Sequence, residues 1–162
     1  MVLYPEVQKR AQEEIDKVVG TDRLPDFQDR ASLPYLEAVY RETMRLKPVG
    51  PIGVPHAATN EDVYKGYYIP KGKAMSQNPV KYPDPSAFKP ERFLDSEGKL
   101  NDDTVTYAFG FGRRICPGRH FASGSSWIAM ANILASFSIG KAKDAAGNPI
   151  DCEPDWYLAI ST

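Results

Sequence analysis

Apolar positions recur at helical spacing in three stretches of the chain. Val7, Ala11, Ile15 and Val18 fall on one face of a helix predicted from Pro5 to Val19. Pro5 suits its first turn and Gly20 supplies the stop. The opposite face is charged. After a connecting stretch, Thr21 to Ala31, comes a second helix from Pro34 to Leu46, with Leu36, Val39, Thr43 and Leu46 as its apolar stripe. Ser32 is its candidate cap, and Pro48 ends it. A third helix, His120 to Ile139, is strongly apolar, with Phe121, Ile128, Leu134 and Phe137 among the residues expected to be buried.

Between the second and third helices the pattern breaks up. Val49–Ala58 and Val63–Ile69 read as short strands, with Lys65-Gly66 as a bend. Eight of the 14 prolines lie between Pro48 and Pro90, which excludes long regular structure there. Ser96–Asp103 reads as a polar loop, Asp144–Asn148 as a turn and Trp156–Ile160 as a short strand. No repeat or linker divides the chain. The pattern predicts one domain over residues 1–162, α+β in class and mainly α.

Composition narrows the function classes. A net charge of −1 gives no electrostatic case for nucleic acid. Hydrophobic content of 42% with 25% charged residues reads as globular, and no apolar run reaches the length of a membrane span. The opening residues do not form a signal peptide. Cys116 and Cys152 make no disulfide framework and suit a reducing compartment.

The densest chemistry lies in Phe109-Gly110-Phe111-Gly112-Arg113-Arg114-Ile115-Cys116-Pro117-Gly118. One cysteine ends a glycine-bracketed loop, and a largely apolar helix begins just after it. Glycines before the cysteine permit a tight bend. Gly118 lets a flat ligand approach the backbone. The following helix turns its positive end toward the sulfur, and Arg113, Arg114 and Arg119 add full charges, which favours thiolate over thiol. Taken alone, Cys116 reads as a small buried hydrophobe. Glu42 and Arg45, three apart on the second helix, read by spacing alone as a solvated surface pair.

The filled pattern F-x-x-G-x-R-x-C-x-G, set by Phe109, Gly112, Arg114, Cys116 and Gly118, resembles the haem-binding loop of the cytochrome P-450 family. Glu42-Thr43-Met44-Arg45 matches the family's E-x-x-R, and Pro90-Glu91-Arg92-Phe93 its P-E-R-F segment. The resemblance implies haem b held by Cys116 as the axial iron ligand. It implies Arg114 and His56 on the haem propionates, and Phe109, Gly112, Gly118 and Ala122 about the porphyrin. It turns Glu42, Arg45 and Arg92 into one buried network, tolerable because its charges are mutually paired. The fold it implies is the C-terminal, proximal, haem-thiolate portion of the cytochrome P-450 fold, in a member of fungal microsomal type.

By the same resemblance the function is haem-dependent monooxygenation of a small apolar organic substrate. Electrons would come ultimately from NADPH through a flavoprotein reductase, docked on a basic face of Arg113, Arg114, Arg119 and His120. Full-length relatives sit on the cytosolic face of the endoplasmic reticulum membrane. This chain has no anchor and would be cytoplasmic if expressed as such. The oxygen-activating helix of relatives has no counterpart here, so no catalytic residue is expected and the fragment is expected to be inactive alone. About one strand's length between Lys71-Gly72 and Ala74-Met75 is also missing relative to the family. The alternatives are a non-catalytic haem-binding or partner-binding module, a zinc site from Cys116, His120, Cys152 and His56, and a redox-sensing thiol at Cys116.

Overall fold

The computed structural model describes residues 1–48, 62–69, 78–110 and 112–151. The expected strands over 49–58 and 156–160, together with His56 and Cys152, lie outside the described residues. Three helices carry the fold: α1 (Pro5–Val18), α2 (Pro34–Leu46) and α3 (Arg119–Ser136). Among the described residues the only sheet is an antiparallel hairpin of β1 (Asp62–Tyr64) and β2 (Tyr67–Ile69), with Val63 opposite Tyr68. Its two turn residues, Lys65 and Gly66, have φ of 51° and 81°. Left-handed geometry at both positions matches the twist of paired strands. Short 3-10 turns at Asp29–Ser32, Pro90–Phe93, Thr106–Phe109 and Gly112–Arg114 complete the order.

The helix α2 lies at the centre. Every residue from Tyr35 to Tyr40 is buried. On one side Leu36 and Val39 pack with Val7, Ala11 and Ile15 of α1 and with Trp127, Ala131 and Leu134 of α3. On the other, Ala38 joins Tyr82, Phe93 and Val105 in a second cluster. Helix α2 is therefore the wall shared by both cores, and what it holds fixes both sides.

Side chains from distant elements close the helix ends. At the start of α2, Pro34 has no N–H to satisfy, and the next two amides, Tyr35 and Leu36, each donate to one oxygen of Glu14 at 2.9 Å. This corrects the expectation for Ser32: the N-cap position is Leu33, with no side-chain cap of its own. At the end of α3, Gln12 Nε2 donates to the carbonyls of Leu134 and Phe137, at 3.0 and 3.1 Å. Gln8 pairs in both directions with the backbone of Ile139.

Other differences concern α1 and α3. Val18 at the end of α1 is exposed. Helix α3 stops at Ser136, where Phe137 turns extended at φ −137° and ψ 142°, rather than running to Ile139. Phe121 and Phe137 are 82% and 66% exposed, not buried. The core stripe of α3 is Trp127, Ala131 and Leu134. Phe121 lies six residues before Trp127, about 240° round the helix at 3.6 residues per turn, and Phe137 has left the helix. Ile128 is partly buried against the core.

Candidate functional site

The cysteine loop is built from two left-handed glycines and one backbone clasp. Gly110 and Gly112 have φ of 86° and 58°, conformations that a Cβ resists. They fold the chain back so that the Cys116 N–H donates to the Phe109 carbonyl at 2.9 Å. Ile115 N–H bonds Gly112 O at 3.2 Å within the same loop. Just beyond, Arg119 donates to the Cys116 carbonyl from its backbone at 3.3 Å and from its guanidinium at 3.4 Å. Gly118 stands at the N-cap of α3, so the cysteine lies two residues before that cap.

Cys116 is a free, partly exposed thiol and belongs to neither packed cluster. A Cβ built at Gly118 meets only its sulfur within 4 Å, at 3.8 Å. A glycine thus stands directly beside the sulfur, and among the described residues a free, partly exposed thiol next to a glycine fits a metal thiolate with a flat ligand alongside. Phe109 and Ala122 are partly buried, and Ala122 N–H bonds Gly118 O at 2.9 Å, one turn into α3. Arg114 sits in the 3-10 turn before the cysteine, and its side chain lies outside the described structure. Arg113 and His120 are exposed.

A second constellation lies on α2. Glu42 and Arg45 are both 0% exposed. Glu42 accepts from Arg45 Nε at 2.7 Å and Nη2 at 2.8 Å, from Arg92 Nε at 3.1 Å and from the Lys89 N–H at 2.7 Å. The solvated pair that spacing favours is thus replaced by a buried three-residue cluster. Two guanidiniums face one carboxylate, and backbone carbonyls take up the excess. Arg45 Nη1 donates to Pro85 O at 2.9 Å, and Arg92 donates to the carbonyls of Pro83, Asp84 and Ala87. The proline-rich stretch explains this. Lacking amide donors at Pro83 and Pro85, it makes no regular structure and turns its carbonyls to the cations. Sequence reasoning missed this acceptor set, although the proline spacing was its visible trace.

Also unforeseen is a network between α2 and the cysteine loop. Tyr82 donates to Asp103 Oδ2 at 2.6 Å and accepts from Tyr107 at 3.1 Å, while Lys81 Nζ pairs with Asp103 at 3.0 Å. Burial pushes the Tyr82 hydroxyl far above the ordinary tyrosine range, reinforced by its bond to Asp103. Burial would raise the Asp103 carboxyl too, but hydrogen bonds from Tyr82, Lys81 and the Val105 N–H hold it below its usual value.

Among the described residues no three His, Cys, Asp or Glu side chains gather as a metal site, and of the zinc candidates only Cys116 and His120 are described. No described helix is long and apolar enough to cross a membrane.

The cytochrome P450 family model matches residues 1–161. Cytochrome P450 monooxygenase claR of Ampulloclitocybe clavipes is 50% identical over 159 residues, covering 93% of this chain and 30% of that protein. Cytochrome P450 monooxygenase 176 of Postia placenta is 49% identical over 169 residues, covering 99% and 32%. Cytochrome P450 monooxygenase ple1 of Rhodocybe pseudopiperita is 45% identical over 170 residues, again covering 99% and 32%. The chain spans about a third of the length of these relatives. An alignment of 169 positions exceeds the 162 residues of this chain, so that relative carries at least seven with no counterpart here.

Proposed function

The chain belongs to the cytochrome P450 family, and on that footing we propose that residues 1–162 form a single partial domain, the C-terminal, proximal part of a haem-dependent monooxygenase. The observation that carries the reading is the state of Cys116: a free, partly exposed sulfur outside both cores, on a loop clasped to Phe109 just before α3. In that role Cys116 would hold the iron of haem b. Arg114 and His56 would pair with its propionates, and Phe109, Gly112, Gly118 and Ala122 would lie about the porphyrin. Bound haem would supply the iron chemistry of oxygen activation, tuned by its thiolate ligand.

The other residues serve this one. Glu42, Arg45 and Arg92 lock α2 to the Pro90–Phe93 turn from which the chain runs on to the loop. Arg113, Arg114, Arg119 and His120 make a basic face for an acidic flavoprotein reductase that passes electrons from NADPH. Substrate selection and proton delivery are assigned to the part of the relatives this chain does not match, with a small apolar organic molecule as substrate. The working place of the whole enzyme is the cytosolic face of the endoplasmic reticulum membrane. These residues alone hold haem and do not turn over substrate.

The test is the absorption spectrum of purified, haem-supplied protein, reduced under carbon monoxide. The expected result is a thiolate-type Soret band that vanishes in Cys116→Ala, with no substrate oxidation on adding reductase and NADPH. Absence of haem uptake overturns the reading for this chain.

A further inference from the structure

Val105 is the clearest backbone anomaly near the site. It is β-branched and 2% exposed, yet its φ and ψ are 54° and 28°, the left-handed region that such residues avoid. A strained residue persists only where its surroundings over-determine it, and strain of this kind gathers at functional sites. Here the surroundings can be named. Asp103 Oδ1 accepts the Val105 N–H at 3.1 Å, and Asp103 Oδ2 takes the Tyr82 hydroxyl and Lys81. Arg41 of α2 donates to the Asp103 carbonyl at 3.0 Å and to the Asn101 carbonyl at 2.8 Å. The Val105 side chain packs with Ala38, Tyr82 and Phe93.

Everything downstream follows from that corner. The Val105 carbonyl accepts Ala108 N–H at 3.1 Å, opening the 3-10 turn Thr106–Phe109, and the Tyr107 carbonyl accepts Gly110 N–H at 3.1 Å. Tyr107 also returns its hydroxyl to Tyr82. The turn ends at Phe109, whose carbonyl receives the Cys116 amide. A continuous path thus runs from the rigid helix α2 through Asp103 to the backbone of the cysteine.

We propose that Asp103, with Tyr82 and Tyr107 as its hydroxyl partners, is the positioning residue of the cysteine loop, holding the left-handed corner at Val105 so that the Phe109 carbonyl fixes Cys116. The role rests on Cys116 being the haem ligand, but the geometry it controls exists without haem. The side chain of Asp103 bonds Tyr82, Lys81 and the Val105 amide rather than the cysteine, and acts through the backbone.

The experiment uses the full chain with Tyr82→Phe, Tyr107→Phe and Asp103→Asn, and with Thr104→Ala as a control on the same loop. Tyr82→Phe and Tyr107→Phe each remove a single oxygen and keep the ring. Without haem, amide hydrogen exchange is followed at Cys116 and at Ile15 and Val39 in the core. At least tenfold faster exchange at Cys116 is expected in Tyr82→Phe and Asp103→Asn, a smaller rise in Tyr107→Phe and none in Thr104→Ala, with the core amides within twofold. An unchanged Cys116 amide overturns the proposal, as does an equal rise in the Thr104→Ala control. With haem supplied, the reduced carbon monoxide complex of Tyr82→Phe is expected to lose at least half of its thiolate-type signal at equal haem content. An undiminished signal overturns the proposal. Failure of the unsubstituted chain to take up haem counts against the function proposed above, and leaves the exchange result to decide this one.

Discussion

At the scale of single residues, Glu42 is the most consequential side chain outside the cysteine loop. It is fully buried and accepts from Arg45, Arg92 and the Lys89 amide. Removing one partner of a buried pair leaves an uncompensated charge, at a cost of about 3–5 kcal/mol. Glu42→Gln is therefore expected to lower the urea-unfolding free energy by that amount. A loss under about 1 kcal/mol, the size of a surface pair, would contradict the cluster. The tyrosines make a pH prediction. Burial raises Tyr35, Tyr82 and Tyr107, and the Glu91 charge adds to it at Tyr35. Above about pH 10 the unfolded chain loses these protons while the folded chain keeps them, so the unfolded state binds fewer protons. Stability is then full below pH 10 and falls as pH rises beyond it. In a tyrosinate absorbance titration, Tyr35, Tyr82 and Tyr107 should ionise only as the fold is lost. Ionisation of all nine tyrosines in one ordinary step, with the helices intact, would contradict this. Residue identities at the loop were readable because the pattern is contiguous. The Asp103–Tyr82 contact was not, since it joins positions 21 apart through a corner whose backbone no residue type announces.

At the scale of elements, helical periodicity located all three helices. For α1 it found the core face, Val7, Ala11 and Ile15, because there the stripe is narrow and the opposite face charged. For α2 it found Leu36 and Val39 and missed Tyr35, Ala38 and Tyr40, because that helix is covered on two faces and a single stripe describes only one. For α3 it failed at Phe121, because apolar residues spread round that helix do not say which side is inward, and at Phe137, because the helix ends one residue before it. The helix ends were illegible for a related reason. Their partners, Glu14 for α2 and Gln8 and Gln12 for the end of α3, lie far off in sequence and look like ordinary surface residues of α1. Glu14 combines a cap with a charge at the positive end of a helix. Glu14→Ala is expected to cost about 1–2 kcal/mol, read as a lower urea midpoint at unchanged slope. An unchanged midpoint would show that water replaces the carboxylate without loss.

At the scale of the whole molecule, the chain spans 30–32% of the relatives named above and carries its own cores on both faces of α2. The buried cluster fixes α2 to the segment 83–93, and the Asp103 network, braced on Arg41 of α2, leads by backbone contacts to the loop that carries the sulfur. Large apolar side chains, including Phe27, Phe121, Ile133 and Phe137, remain exposed. Under the proposed function the part of this chain is to hold the cofactor, so the central claim is coordination by Cys116. Iron K-edge X-ray absorption of the haem-loaded chain tests it most directly. The expected result is one sulfur in the first shell of iron, absent in Cys116→Ala. A first shell of nitrogen and oxygen alone, the same in both proteins, would contradict it.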